Sequence, residues 1–496
     1  MSLRPDAKTP LILALDIGTS GPRALLYDRY GQAVAGMASK QPLLFEVSPD
    51  GGVVADADLI LDGVMRCLDQ ILELAGDLAD NIMGVSACTF VSNLLGVDEH
   101  FRAITPVYTY ADTRPAAESW ALRQEYDEEA FHQRTGCYFH PSYLPARFLW
   151  LERTQPETFQ HCWRWVSIGE YLFLKLFGEA RLSYSAASWT GMLDRRKLAW
   201  DDETLSLSHV PAERFSPLGD FDQPMQGLLP EYARRWRALS GIPWFPAVGD
   251  GAAANIGSGC IQPTQVAISL ANTCAVRLVL EGDIKSVPPG LWCYRVDRRR
   301  SLLGGALTEG GNFINWLRRL LNLEGMENPE DSLIGRMPGA HGLTFLPLVA
   351  GERSPGWNPA ARGLATGMTL ATTPLDIFQA GLEGVICRIA QVYQLLGDVL
   401  PGEPQVIASG GAATHSRFLV ASLADALGRP VRISQVEEAS ARGAALLALE
   451  ALGLIESLEK VTFPVSEPFT PDAARHRCYQ EMIQEQRRCY HRNFEP

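Results

Sequence analysis

Residues 11–28 read LILALDIGTSGPRALLYD and decide the predicted fold. An apolar run ends in Asp16, the chain turns through GTSG at residues 18–21, and a second apolar run follows. Two such runs joined by a short glycine-containing turn are typical of a β-hairpin. Backbone N–H groups exposed at a turn of this kind can bind phosphate without basic side chains. The segment therefore predicts a hairpin whose turn carries functional groups.

A second hairpin is predicted at residues 265–282, QVAISLANTCAVRLVLEG. Its turn, SLANTC at 269–274, aligns with DIGTSG at 16–21, and in both hairpins an arginine follows the turn. A repeat spaced at about half the chain predicts two copies of one domain, each opening with a phosphate-facing hairpin. Coincidence between two unrelated hairpins is the alternative.

A third segment, VGDGAAANIGSG at residues 248–259, places Asp250 between two glycines. Glycines permit a tight bend that holds the carboxylate out into a cleft. The alanines that follow, residues 252–254, allow a substrate or an opposing domain to approach closely. An accessible carboxylate of this kind suits a general base that takes a proton from an alcohol. The structural alternative is that Asp250 caps the helix that follows it.

Two further glycine pairs, Gly310-Gly311 and Gly410-Gly411, follow apolar runs where backbone N–H groups could bind phosphate. Together with two acids they predict a phosphoryl-transfer site. Asp16 would hold Mg²⁺ through water, with Asp250 as the second carboxylate at the metal and the base for the acceptor hydroxyl. The chain contains no G-x-x-x-x-G-K-[ST] loop and no protein-kinase motifs.

Composition limits the alternatives. The 496 residues suffice for two or three domains, and 46% hydrophobic residues allow a large core. The formal net charge of -13 argues against nucleic-acid or membrane partners, which favour basic surfaces. The ten cysteines form no C-x-x-C pair and indicate a reduced, cytoplasmic protein. Helical patterns predict helices over residues 118–134 and 163–177 and a peripheral helix over 471–496.

The ordered set of motifs resembles the FGGY family of carbohydrate kinases, within the actin-like ATPase superfamily. The similarity runs from about residue 11 to residue 452. It is carried by DIGTS at 16–20, GDGAAANIGSG at 249–259, GGALTEGGNFINW at 304–316, FLPLVAGERSPGWNPAARG at 345–363, GLEGV at 381–385, and SGGAATHS through ADALGRPV at 409–431.

The resemblance implies an α/β fold of two actin-like (ribonuclease H-like) domains around a central cleft. The N-terminal domain would span residues 8–260 and the C-terminal domain 261–455, with a connector and peripheral helix at 456–496. ATP and Mg²⁺ are the implied cofactors, a small sugar the implied partner, and a homodimer a possible assembly. By match, Asp250 is the catalytic base and Asp16 the magnesium-site acid. The remaining matched positions contact the nucleotide: Thr19, Ser20, Asn272, Thr273, Gly310, Gly311, Gly410 and Gly411.

The sugar-contacting segments resemble those of the gluconate kinases of this family, through TPVYTYADTRPA at 105–116 and RTGCYFHPSYLPARFLWL at 134–151. They make Phe90, Ser92, Asp112 and Arg114 candidate substrate residues. Asp112 would accept hydrogen bonds from sugar hydroxyls. Arg114 would pair with a carboxylate or hold Asp112 in place.

Two departures from the family pattern bear on the substrate and the rate. Gluconate-kinase-like members have Phe-Trp-His-Ser where this chain has FVSN at 90–93, which enlarges the pocket and removes a donor. The second hairpin carries Ala271 and Asn272 where Gly and Thr are usual, and alanine disfavours positive φ. The resemblance of the sugar-contacting segments still makes gluconate the first expected acceptor. A ketose or polyol, as for xylulokinase, is the alternative. A catalytically weak nucleotide- and sugar-binding paralogue is the alternative of a different class.

Overall fold

The computed structural model describes residues 9–326 and 328–494 of the chain. Its strands are β1 Leu11–Gly18, β2 Gly21–Tyr27, β3 Ala33–Lys40, β4 Glu46–Val47, β5 Val53–Ala55, β6 Ile82–Thr89, β7 Leu95–Val97, β8 Val107–Tyr108, β9 Arg164–Val166, β10 Leu182–Ser183, β11 Leu193–Asp194, β12 Ala199–Trp200, β13 Leu218–Gly219, β14 Val248–Gly249, β15 Gln265–Leu270, β16 Cys274–Glu281, β17 Trp292–Arg295, β18 Arg300–Leu307, β19 Thr344–Leu346, β20 Leu364–Thr366, β21 Gln405–Ser409 and β22 Val431–Ile433. Its helices are α1 Ala57–Ala75, α2 Ala116–Glu125, α3 Glu128–Thr135, α4 Leu144–Thr154, α5 Pro156–His161, α6 Ile168–Phe177, α7 Tyr184–Ser188, α8 Asp202–Leu207, α9 Pro230–Arg235, α10 Asp250–Gly257, α11 Gly311–Leu320, α12 Pro374–Leu395, α13 Gly411–His415, α14 Arg417–Leu427, α15 Ala439–Ala451 and α16 Ala473–Phe494.

Two large sheets organise the molecule, one in each half. The first has the strand order β14-β6-β1-β2-β3, and the second has the order β17-β18-β16-β15-β21-β22. In each sheet the opening strand, β1 or β15, begins an antiparallel meander. On its other side the same strand pairs in parallel with β6 or β21. The two predicted hairpins are therefore β1–β2 and β15–β16, at equivalent places in sheets of matching order.

Helices α10 and α15 join the two halves. α10 contacts β16 of the second sheet, whereas α15 packs on β1 and β6 of the first. The two helices approach closely through glycine: a Cβ atom on Gly257 would lie 1.8 Å from the carbonyl oxygen of Ala439, and one on Gly443 would lie 1.8 Å from that of Ala253. The small residues after Asp250 thus serve helix packing, one of the two uses predicted for them.

Two predicted helices have boundaries that differ from those the hydrophobic pattern suggested. The pattern over residues 118–134 is split into α2 and α3, because the Asp127 carboxylate caps a new helix start. The pattern over 163–177 contains strand β9 before α6. Ser167 and Glu170 form a reciprocal capping box there, which fixes the start of α6. In both places a capping side chain decides the boundary.

The C-terminal helix was predicted as peripheral, and this prediction is wrong. α16 packs against α12, α14 and β19 of the second half. Its side chains Tyr479, Ile483 and Cys489 are buried, so one face of the helix belongs to the core. All ten cysteines are free, and all but Cys478 are buried. Within the described ranges, no helix combines the length and the apolar character needed to cross a bilayer.

Candidate active site

Asp16 and Asp250 lie at the same edge of the first sheet. Strands β1, β6 and β14 are parallel, so their carboxyl ends meet at this edge, where α/β proteins commonly bind ligands. Asp16 pairs in register with Cys88 of β6, whose Sγ donates to Asp16 Oδ1 at 3.5 Å. Val248 pairs with the same Cys88 from the other side, and Asp250 follows as the first residue of α10. The sheet thereby brings the two acids together across one strand.

The surroundings of the two acids raise the pKa of both carboxyl groups. Burial, followed by the negative charge of Asp16, raises the pKa of Asp250 from 3.8 to about 7. The Arg277 guanidinium and the N–H of Gly251, which donates to Asp250 Oδ1 at 2.7 Å, act in the opposite direction. Burial also raises the pKa of Asp16, against the charge of Arg23. A carboxyl group whose pKa lies near neutrality is well suited to general base catalysis.

The glycines that flank Asp250 act through close packing. A Cβ atom on Gly249 would lie 2.8 Å from Trp189 Nε1, and one on Gly251 would lie 3.0 Å from the same indole ring. Neither glycine has a positive φ. The N-cap residue of α10 is Gly249, no described side chain caps this helix end, and Asp250 is the first residue of the helix. The structural alternative, in which Asp250 caps α10, therefore does not apply.

Asp250 faces a cavity of about 140 Å³ between the two halves. The cavity combines the first-half loops with one face of the second sheet. It is lined by Val91, Ser92, Tyr110, Ser142, Tyr143, Trp189, Asp250, Gly251, Thr273, Ala275, Arg277, Trp292, Tyr294, Ala306, Arg353 and Trp357. We call it the acceptor cavity.

Aromatic side chains form one wall of the acceptor cavity. The rings of Trp189 and Tyr294 stack at a centroid distance of 3.8 Å, and Trp292 stacks on Tyr294 at 4.4 Å. The hydroxyl groups of Tyr143 and Tyr294 lie 2.5 Å apart. Trp189 Nε1 is buried and has no acceptor among the described residues. The wall thus offers apolar aromatic faces to a ligand, as ligand pockets commonly do.

The four predicted sugar residues occupy different surroundings. Ser92 lines the acceptor cavity, with φ 52, and its hydroxyl donates to the carbonyl oxygen of Trp189 at 2.6 Å. Phe90 is fully buried outside the cavity lining. Asp112 is also buried outside the lining and pairs with Arg114 at 2.5 Å. The structural role predicted as one option for Arg114 fits this geometry.

A larger cavity of about 450 Å³ lies beside the second hairpin. Three predicted nucleotide residues line it: Asn272, Gly311 and Gly411. Gly410 has φ +93, and a Cβ atom there would lie 2.5 Å from the carbonyl oxygen of Leu270. This glycine is therefore needed for β21 to turn past the hairpin. We call this space the nucleotide cavity.

The hairpin tip itself is regular. Neither Ala271 nor Asn272 has a positive φ, so the strain expected from alanine at this place is absent. The backbone N–H of Gly311 donates to the carbonyl oxygen of Ala271 at 2.7 Å. A Cβ atom on Gly310 would lie 2.6 Å from the same oxygen. The tip is thus held against the start of α11, with Asn272 exposed to the nucleotide cavity and Thr273 facing the acceptor cavity.

The first hairpin presents Thr19 and Ser20 at an exposed tip, outside the lining of both cavities. Ser20 Oγ accepts a hydrogen bond from Arg23 at 2.6 Å. Arg23 also forms an ion pair with Glu438, which precedes α15. The tip is therefore linked to the second half through an arginine.

The donor chemistry at the sheet edge fits the predicted Mg²⁺. Kinase sites hold this ion by one or two carboxylates, with water and substrate phosphates as the remaining ligands. Asp16 and Asp250 are two such carboxylates, and a divalent cation near them would offset the repulsion that raises the pKa of Asp250. The described residues contain no group of three or more His, Cys, Asp or Glu side chains that could hold a metal.

Sequence reasoning missed much of the acceptor cavity. Trp189 and Trp292 had no signal beyond their aromaticity, which core packing also explains. Arg277 offered a usable signal, because a charged residue within an apolar strand must face a partner or a cavity. Arg353 lies in the segment GERSPGW at 351–357, which the sequence marked as part of a family motif.

Two family models and several known proteins match most of this chain. Residues 11–257 match the FGGY family of carbohydrate kinases, N-terminal domain, and residues 286–452 match its C-terminal domain. A gluconokinase of Bacillus subtilis is 27% identical over 92% of this chain and 90% of that protein. A xylulose kinase of Escherichia coli is 26% identical over 97% of this chain and 98% of that protein.

The fold of a solved relative matches as well. The crystal structure of gluconate kinase from Lactobacillus acidophilus superposes with a TM-score of 0.89 at 24% identity, covering 97% of this chain and 98% of that one. The predicted two actin-like domains around a cleft are thereby confirmed. The chain belongs to the FGGY family of carbohydrate kinases, phosphotransferases that use ATP as the phosphoryl donor.

Proposed function

We propose that the chain transfers the γ-phosphoryl group of ATP to the primary hydroxyl of a small open-chain sugar acid, with D-gluconate as acceptor and 6-phosphogluconate as product. The tip of the second hairpin carries this proposal. Asn272 lines the nucleotide cavity, and the next residue, Thr273, lines the acceptor cavity that contains Asp250. ATP in one cavity and a sugar in the other would hold donor and acceptor on two sides of one turn.

The proposed roles follow from chemistry. Asp250, with a pKa of about 7, takes the proton of the attacking hydroxyl. Asp16 and Asp250 hold Mg²⁺, which when bound supplies positive charge to the transferred phosphoryl group. The turns and glycine pairs bind the nucleotide through backbone N–H groups and hydroxyls. These positions are Thr19, Ser20, Asn272, Thr273, Gly310, Gly311, Gly410 and Gly411.

The domain boundaries are part of the proposal. Residues 8–260 form the sugar-binding N-terminal domain and residues 261–455 the nucleotide-binding C-terminal domain. Residues 456–496 comprise a connector and the C-terminal helix α16, which packs on the second domain. Helix α15 belongs to the second half by sequence but packs on the first sheet, which supports a role for this helix in joining the two domains.

Gluconate is proposed first because the segments 105–116 and 134–151 resemble those of the gluconate kinases, and the gluconokinase relative is 27% identical over 92% of the chain. A ketose or polyol is the second candidate, and the small side chain of Ser92 at the cavity wall favours it. A serine there leaves room that a larger side chain would fill. The xylulose kinase relative also spans nearly the whole chain.

The test is ADP release with ATP and Mg²⁺ against gluconate, other aldonates, xylulose, ribulose, glycerol and erythritol. Strong stimulation by gluconate supports the first proposal, and stimulation by xylulose or a polyol replaces it with the second. No stimulation by any acceptor, with ATP still bound, contradicts both and favours a binding protein.

A further inference from the structure

Arg353 is a positive charge in the acceptor cavity that the proposed chemistry at Asp250 does not use. Its Nη2 donates to the carbonyl oxygen of Leu307 at 2.9 Å, while its Nε is buried without an acceptor among the described residues. Within the described chain, no carboxylate lies within the 4.0 Å of an ion pair with Arg353. By contrast, the buried Arg388 pairs with Glu352.

The other arginine of the cavity, Arg277, belongs to the Asp250 end. A Cβ atom on Gly251 would lie 3.4 Å from Arg277 Nη2, and Arg277 is the positive charge that lowers the pKa of Asp250. The charge of Arg353 reaches the first-half loops, because burial and then Arg353 lower the pKa of His140 to about 3. Burial and Arg353 also lower the pKa of Arg277, and both arginines line the same cavity as Asp250.

The protein itself offers Arg353 a poor anionic partner. Glu309 is a carboxyl group that responds to its charge, and burial raises the pKa of this group to about 7. Glu309 Oε1 is already used, because it accepts the backbone N–H of Ala350 at 3.0 Å. His140 stays neutral at physiological pH and adds no charge to the cavity. An anion from outside would therefore complete the surroundings of Arg353.

We propose that Arg353 binds the carboxylate of a sugar-acid acceptor and so selects aldonates over polyols and ketoses. The inference rests on the proposed phosphoryl transfer at Asp250. An open-chain aldonate carries its carboxylate and its primary hydroxyl at opposite ends, and the acceptor cavity is lined by both Arg353 and the proposed base Asp250. Arginine is the side chain best suited to a carboxylate, because its donors match the two oxygens.

The experiment compares D-gluconate with D-glucitol, which has a CH₂OH group in place of the carboxylate. Steady-state ADP release is measured for the full-length wild type, Arg353→Gln and Arg353→Lys. Arg362→Gln is the matched control, since Arg362 lies in the same segment, is exposed and bonds to the carbonyl oxygens of Pro359 and Ala361. Thermal melting checks that each variant is folded, and titration calorimetry of gluconate and glucitol on the wild type gives a readout that needs no variant.

We expect Arg353→Gln to raise the KM for gluconate about 100-fold, with an equal fall in the preference for gluconate over glucitol. The KM for ATP should stay within twofold, and Arg353→Lys should give a smaller loss. Equal losses with both acceptors, or a raised KM for ATP, would show that Arg353 serves the nucleotide phosphates and would overturn the inference. Equal affinity of the wild type for gluconate and glucitol would also overturn it. A wild type inactive with gluconate would instead contradict the proposed function, before any variant is tested.

Discussion

Replacing Asp250 by asparagine should make the protein more stable at pH 8 while it disables the proposed base. The pKa of Asp250 is about 7 in the folded chain, against a reference value of 3.8. Between these two pH values the folded protein keeps a proton that the unfolded chain has lost. The free energy of unfolding therefore falls as pH rises through this range, and the whole loss of stability is present above pH 7. A shift of this size corresponds to about 4 kcal/mol, at about 1.4 kcal/mol per pKa unit. Partial solvent exposure reduces it to about 2–4 kcal/mol.

The assay is thermal melting of the wild type and Asp250→Asn at pH 4 and pH 8 in EDTA. Asparagine keeps the acceptor for the Gly251 N–H, bonded at 2.7 Å, and removes only the charge. We expect the variant to melt about 2–4 °C higher at pH 8, with no gain at pH 4, because the unfolding entropy of a chain of this length is about 1 kcal/mol per kelvin. Glu46→Gln, which removes an exposed charge, should show no such gain. An equal or lower melting temperature for Asp250→Asn at pH 8 would refute the reasoning.

Three further outcomes follow from the same structure. The kcat/KM for the acceptor, measured with Mg²⁺, should rise with pH and level off, because the reaction needs Asp250 deprotonated. The midpoint of the rise should lie below the pKa of about 7 that Asp250 has without metal, since the cation favours the charged carboxylate, and a midpoint above 7 would contradict this. Gly443→Ala should lower the free energy of unfolding by about 3 kcal/mol or more in denaturant melts, since its Cβ would meet backbone, whereas Gly241→Ala, with open space around it, should melt like the wild type. Gly410→Ala should weaken ATP binding in titration calorimetry by displacing the second hairpin, and unchanged affinity would remove this glycine from the proposed nucleotide site.

The hairpins and the buried strands could be read from sequence because their apolar runs and glycine turns are local signals. Asp16 and Asp250 were predictable for a related reason, because each lies at the end of an apolar run. The strands that contain these runs belong to one parallel set, so both acids lie at the same edge of the first sheet. The family motifs added the two-domain arrangement, which periodicity alone could not supply.

The acceptor cavity was less predictable because it is assembled from distant segments. Trp189 stacks on Tyr294 from another half of the chain, a contact that no local pattern encodes. The sequence also suggested strain at Ala271, where glycine is usual. The backbone does not adopt a positive φ at this residue, so the alanine introduces no strain. Helix α16 looked polar by composition, yet Tyr479 on its inner face is fully buried.

The central claim is that Asp250 is the base for phosphoryl transfer to a sugar. Its most direct test is acceptor-stimulated ADP release, measured at pH 8 with saturating ATP, Mg²⁺ and the acceptor that the wild type prefers, for the wild type and Asp250→Asn. The account predicts that the variant still binds ATP and the acceptor but loses about 10²–10⁴-fold in kcat. A folded variant that keeps acceptor-stimulated turnover within tenfold of the wild type would contradict it.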